Sequence, residues 1–147
     1  MLDLDASVAK ALELTREAAA LGAELVVLPE CFLSFYPSAS ITQSRYDKGM
    51  MDLFERMWLS AVDVPGPVVE QFERICSELS IHLAIGVNER ESERPGTLYN
   101  TLLLFGPAGL LFKHRKLMPT HHERLFHGIG SGNDLQVADT PVGRSAV

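Results

Sequence analysis

Cysteine is scarce: two stand in 147 residues, at positions 31 and 76, which is no disulfide framework, so free thiols are expected. No stretch approaches the run of about 18 apolar residues that a membrane helix needs. The start, MLDLDASVAK, lacks the basic opening and apolar middle of a signal peptide, and a cytoplasmic address is the default expectation. Positive charge is short as well: 13 Lys and Arg against 19 Asp and Glu leave a net charge of −6, which argues against nucleic acid or an anionic membrane as partner. There is no internal repeat, no low-complexity segment, no strand-linked G-x-G-x-x-G and no Walker motif, so a nucleotide site is not expected. What is there is globular: 46% hydrophobic and 22% charged residues, in a chain long enough to bury one core.

The order of elements reads as α/β. Asp3 or Asp5 can cap a helix in which Val8, Ala11, Leu12, Thr15, Ala18 and Ala19 recur at helical spacing, with Gly22 past its end. Residues 24–28, ELVVL, predict a buried parallel strand that Pro29 ends. Only MLDLD precedes the helix, so the chain is expected to begin inside a domain. Residues 31–46 are aromatic and turn-rich and predict a long loop. Helices are expected over 46–61, with Met50, Leu53, Phe54, Met57 and Trp58 on one side, and over 68–80, with a stripe of Val68, Phe72, Ile75, Cys76 and Leu79. Residues 81–87 predict a buried strand, 88–93 an exposed charged turn, and 98–105 with 110–114 a hairpin across Gly106-Pro107-Ala108-Gly109. A short strand is expected over 135–138 and a turn over 139–144. A strand begins at Ser145 and is cut at Val147, which suggests truncation.

Chemistry concentrates in residues 113–132, KHRKLMPTHHERLFHGIGSG, which hold four of the five histidines. Lys116 leaves a hairpin strand there. Glu123, seven residues on, could orient it as an electrostatic stabiliser of a developing anion. Alternatively Lys116 is a solvated cation, and Glu123 pairs with Arg124 or His127. Upstream, Glu30 follows the ELVVLP strand, at the strand end where α/β sheets place ligands. Its neighbours Cys31, Phe32, Leu33, Phe35 and Tyr36 are mostly apolar, so desolvation should raise its proton affinity, as an acid-base catalyst requires; a solvated loop carboxylate is the competing account. No metal is expected, because H-E-x-x-H spacing fails at Phe126. The glycines of 128–132 read as a flexible turn, and His82 as a core or edge histidine. Cys76 lies on an apolar stripe and Cys31 beside an acid, so neither is a good nucleophile.

Taken together, LVVLPECFLSFYP, TLYNTLLLFGPAGLLFKHRKLMPTHHERL and GSGNDLQVADTPVGR resemble, in that order, segments of the nitrilase branch of the carbon-nitrogen hydrolase superfamily. The resemblance implies an αββα sandwich, of which residues 1–147 would be an incomplete domain: one sheet, its outer helices and a hairpin. The first strand and the C-terminal half would be missing, leaving an apolar sheet face uncovered. It assigns a general-base role to Glu30, a charge-stabilising role to Lys116 and an orienting role to Glu123. It also expects a cysteine nucleophile beyond Val147. A nitrile would be hydrolysed through a thioimidate to acid and ammonia. Phe35, Tyr36, His121 and His122 are candidates for the substrate pocket, ordinary packing being the alternative. No cofactor is implied. A small-molecule nitrile is the expected partner, and the complete protein is expected to be a homo-oligomer. HRKLMPTHHERL looks more like the nitrile-hydrolysing branch, including cyanide hydratases, than like an amidase or carbamoylase. A non-catalytic fragment is the rival of another class.

Overall fold

A computed structural model of the chain describes residues 2–37 and 48–146. The order is α1 (Leu4–Ala20), β1 (Leu25–Leu33), α2 (Lys48–Leu59), α3 (Pro67–Leu79), β2 (His82–Arg90), β3 (Leu98–Gly106), β4 (Gly109–Arg115), 3-10 turns at His121–Leu125 and Gly132–Asp134, then β5 (Val137–Thr140) and β6 (Gly143–Ala146). Asp3 caps α1, its carboxylate accepting from the Ala6 N–H at 3.0 Å, and Gly22 follows the helix with φ +87°, a conformation that costs glycine little.

The four-stranded sheet has the order β1-β2-β3-β4, with β1 parallel to β2 and the rest antiparallel. Strand alternation sends Leu83, Ile85 and Val87 of β2 to one face, opposite Phe105, Leu103 and Thr101 of β3. On that face α1 and α3 bring Val8, Ala11, Val69, Phe72, Ile75 and Cys76 into one core with Leu28 and Leu33. On the other face Val27 is 67% exposed, while Asn88 and Asn100 are buried beneath His127 and Glu123 of the segment after β4. So β1 is buried on one face only, where residues 24–28 predicted burial on both. The α/β architecture, one sheet with outer helices and a hairpin, is as expected.

Several boundaries differ for physical reasons. Pro29 does not end β1, because β1 is the edge strand and loses little by lacking that N–H. The strand makes a detour instead: Leu28 pairs with Ile85 and Leu33 with Val87, so five steps on β1 span two on β2. Cys31 (φ +50°) and Ser34 (φ +93°) take left-handed backbone conformations along it, which non-glycine residues adopt only under constraint. The expected loop of 31–46 is therefore strand as far as Leu33; 38–46, including the expected helix start at Tyr46, lie outside the described residues. The stripe of α3 runs through Val69 rather than Val68, and Leu79 is exposed. Residues 88–90 are strand, not an exposed turn. Glu89 is buried there because two cations and a hydroxyl meet it: Lys113 Nζ at 2.6 Å, Arg115 Nη2 at 2.6 Å and Thr101 Oγ1 at 2.7 Å. The strand expected at 135–138 is β5, two residues later. The strand expected from Ser145 starts at Gly143 and pairs back onto β5 in a separate two-stranded sheet; Val147 lies outside the described residues.

Gly86 makes the detour possible. A Cβ there would lie 2.6 Å from the Cys31 nitrogen and 2.7 Å from the Glu30 Cα, closer than any packing permits. Gly86→Ala should therefore lower stability by roughly 1–3 kcal/mol, seen as a lower urea midpoint at unchanged m-value. An unshifted midpoint would show that the two strands do not approach this closely.

Candidate active site

The two-residue period of β4 sorts its basic side chains onto opposite faces. Lys113 and Arg115 reach Glu89 on the helix-covered side, and Lys116, one step on, turns to the other side. Its backbone is held at both ends: its N–H donates to the Asn100 carbonyl at 2.8 Å, and its own carbonyl accepts from the Gly130 N–H at 3.0 Å. Gly130 is thereby pressed against the Arg115 and Lys116 carbonyls, where a Cβ would not fit. Gly128, against Tyr99, and Gly130 are thus packed rather than part of the free turn expected from composition, while Gly132 stands in open space.

Lys116 Nζ donates to Glu30 Oε1 and to Glu123 Oε2, both at 2.8 Å. The three residues expected to form a site thus meet, across 86 and 7 positions of sequence. Glu123 is 1% exposed, Lys116 31% and Glu30 48%. Glu123 sits in the third position of the 3-10 turn begun by Thr120. Its side chain accepts the Thr120 N–H at 2.8 Å in a capping box, which explains an acidic residue at this point in the chain. Burial alone would raise its pKa; hydrogen bonds from Lys116, the Thr120 N–H and Asn100 outweigh that and hold it down at about 2. Burial likewise works to lower the pKa of Lys116, but the hydrogen bonds to Glu123 and Glu30 and their negative charge raise it. The apolar sheath expected around Glu30 is absent: Cys31 and Leu33 are buried beside it while the carboxylate lies nearly half in the open.

Asn100 and Asn88 escaped the sequence reading, and His127 entered it only as an alternative surface partner of Glu123. Asn100 donates to Glu30 Oε1 at 2.6 Å and to Glu123 Oε1 at 2.9 Å; its one signal was being a polar residue in an apolar strand. His127 is buried, its Nε2 2.7 Å from Asn88 Oδ1 and its Nδ1 3.4 Å from Glu123 Oε1. Asn88 donates to the Phe35 carbonyl at 2.8 Å, so its oxygen faces His127 and Nε2 carries the proton. Desolvation lowers the pKa of His127 despite the charge of Glu123.

Of the pocket candidates, Tyr36 lies within the field of the site: its pKa is raised by desolvation first, then by the charges of Glu123 and Glu30. Phe35 packs beside Met57 and Phe126. His121 and His122 stack on each other at 4.4 Å, and neither hydrogen-bonds to Lys116 or its carboxylates among the described residues. A cavity of about 340 Å³ opens beside the lysine, lined in part by Glu30, Asn100, Leu102, His114 and Lys116. Among the described residues no three His, Cys, Asp or Glu gather in a metal-ligating group. Burial pushes the Cys76 thiol up to about 12, and burial with the Glu30 and Glu123 charges does the same to Cys31. The site can stabilise a growing negative charge and move a proton, and neither thiol is poised to attack.

The sequence matches the carbon-nitrogen hydrolase family profile over residues 1–147. A bifunctional nitrilase/nitrile hydratase of Lupinus angustifolius is 42% identical over 147 residues, covering 97% of this chain and 41% of that protein. An aliphatic nitrilase of Sinorhizobium fredii is 42% identical over 145 residues, covering 96% of this chain and 46% of that protein. Among solved structures, a CN-hydrolase superfamily protein of Xanthomonas campestris superposes with a TM-score of 0.70 at 19% identity, over 98% of this chain and 46% of that one. The NitFhit protein of C. elegans gives 0.69 at 21% identity, over 97% and 34%. The two structures speak for the fold alone. The chain spans less than half the length of these relatives.

The site should report itself in the pH dependence of stability. The folded pKa of Glu123 lies below its unfolded value, so the unfolded chain takes the proton first as pH falls. Its contribution, roughly 3 kcal/mol, is intact above about 4.5 and lost toward about 2. His127 acts in the same direction at higher pH: its folded pKa is lowered from 6.5, so stability begins to fall as pH drops below that value. Denaturant melts across this range should show Glu123→Gln flattening the acid decline; equal slopes in parent and variant would contradict the pairing.

Proposed function

This chain belongs to the carbon-nitrogen hydrolase family, and we propose that the protein carrying it hydrolyses a nitrile to a carboxylic acid and ammonia. The observation that carries this reading is Lys116 held at 2.8 Å from both Glu30 and Glu123 beside an open cavity. The nitrile is supported by the identity of about 42% to proteins named nitrilases, and the nucleophile is a cysteine outside residues 1–147, since both thiols within them are buried.

In this reaction the thiol proton passes to Glu30 as sulfur bonds to the nitrile carbon, and Lys116 stabilises the negative charge developing on nitrogen. Glu30 returns the proton to that nitrogen, giving a thioimidate. A water adds to its carbon, again through Glu30, and the C–N bond breaks to release ammonia and leave a thioester. A second water cleaves the C–S bond, restoring the thiol and releasing the acid. Glu123 holds Lys116 in place throughout. Tyr36, in the field of Glu123 and Glu30, and His121 and His122, in the turn that carries Glu123, are the residues this reading offers to the substrate. If the tetrahedral intermediate expels sulfur rather than ammonia, the product is the amide, as in a cyanide hydratase. The reading carries with it a cytoplasmic homo-oligomer.

The full-length protein should release ammonia from a panel of aliphatic, aromatic and arylacetonitrile substrates, and Lys116→Ala and Glu30→Gln should each slow turnover by roughly a thousandfold, Glu30→Gln with a near-native melting curve and Lys116→Ala with a lowered but still cooperative one, because it unpairs the buried Glu123. Near-normal rates in either variant would return that residue to an ordinary surface charge. Faster turnover of amides or carbamoyl compounds than of any nitrile would move the protein to the amidase side of the family. Turnover by residues 1–147 alone would overturn the placement of the nucleophile.

A further inference from the structure

We propose that Asn100 is a positioning residue that divides the labour between the two carboxylates, fixing Glu123 as a permanent anion and directing the mobile proton to Oε2 of Glu30. The inference rests on the hydrolytic role proposed above. Asn100 is buried on β3, and its backbone carbonyl accepts the Lys116 N–H, so side chain and lysine are set by the same strand pairing. Its Nδ2 lies 2.6 Å from Glu30 Oε1 and 2.9 Å from Glu123 Oε1. Chemistry fixes the amide orientation: an oxygen in that place would face two carboxylate oxygens with no proton between them.

Few side chains could do this. A primary amide carries two N–H donors on one nitrogen and no charge, so it can bind both carboxylates at once. A hydroxyl has a single proton to donate. A second lysine or arginine would add charge and dilute the field of Lys116 on the substrate. Without a neutral double donor, Lys116 would be the single bridge between two carboxylates that repel each other.

The donors are distributed unequally, and that inequality assigns the roles. Glu123 has both oxygens occupied: Oε1 by Asn100, Oε2 by Lys116 and the Thr120 N–H. Glu30 has both of its donors, Asn100 and Lys116, on Oε1, and among the described residues no hydrogen bond reaches Oε2. A proton can therefore bind Glu30 at Oε2, where no donor stands, whereas each oxygen of Glu123 already accepts a hydrogen bond that favours its charged form. Remove Asn100 and the Glu30 carboxyl is free to turn about its terminal torsion, so that the proton-carrying oxygen no longer has one address.

The experiment compares the full-length protein with Asn100→Leu, Asn100→Ser and Lys116→Ala, reading kcat and KM for nitrile hydrolysis against pH, with ¹³C-carboxyl NMR titration of Glu30 and Glu123 alongside. Asn100→Leu should lower kcat about ten- to a hundredfold with KM nearly unchanged. It should also move the acid limb of the rate profile up by about one pH unit, because a hydrogen bond that favours the charged carboxylates is lost. Both carboxyl titrations should move up with it. Asn100→Ser, with one donor, should fall between, and it serves as the reading if the leucine variant does not fold. A kcat that drops with the pH profile and both titrations unmoved would reduce Asn100 to packing and overturn the proposal; so would an unchanged kcat. Undiminished turnover in Lys116→Ala would overturn the hydrolytic reading itself, while the NMR titrations would still test the double donation.

Discussion

One ammonium group between two carboxylates organises this molecule's open face. Glu123 is 1% exposed, and an ionised carboxyl so placed is unfavourable by several kcal/mol unless cations and N–H donors replace its water. Lys116, the Thr120 N–H and Asn100 do that. Each comes from a different element, so the site exists only when β3, β4 and the turn after β4 are assembled together. The charge that would serve chemistry is also what ties the turn at 121–125 to the sheet.

The same strand solves a second problem on its other side. Glu89 is as deeply buried as Glu123, yet it meets Lys113 and the Nε and Nη2 donors of the Arg115 guanidinium. Arg115 also lies over the Tyr99 ring at 4.0 Å and reaches Glu91 at 2.9 Å. This cluster is closed and uses its charge for structure, gripping β4 against β2. With β4 held in register at residues 113 and 115, alternation leaves Lys116 one direction to take. Lysine rather than arginine at 116 suits the open side: a compact charge with three donors can hold two carboxylates and keep a third donor for a substrate atom.

How much of this was legible in sequence depended on whether the information was local. Asp3, Gly22 and the apolar runs announce α1, β2 and the hairpin, and the ordered segments around Glu30, Lys116 and Glu123 point to one site. Glu89 was misread as solvated because its partners are 24 and 26 positions away, and burial of a charge is decided by partners. Pro29 was misread because its effect depends on whether the strand is at an edge. Asn100 signalled itself only as a polar residue in an apolar strand, and His127 only as a surface partner of Glu123; both matter through register, with Asn100 facing Asn88 across β2 and β3 and Asn88 in turn facing His127. The detour at 29–33 is a compromise between β1 pairing and the room left by Gly86, and neither half of that arrangement is visible alone.

The protonation states constrain what the proposed reaction can be. Lys116 is held cationic by two anions, so at neutral pH it offers field and hydrogen bonds but does not give up a proton readily. Glu123 is held anionic with both oxygens engaged, and His127 is buried and neutral with Nε2 committed to Asn88. Glu30 lines the cavity, and among the described residues no hydrogen bond reaches its Oε2. A hydrolysis of a nitrile moves protons repeatedly between sulfur, water and nitrogen, and here each transfer would pass through that single carboxylate. The other charges are arranged so that its proton can come and go without unpairing them, which is the economy a site with one mobile proton requires.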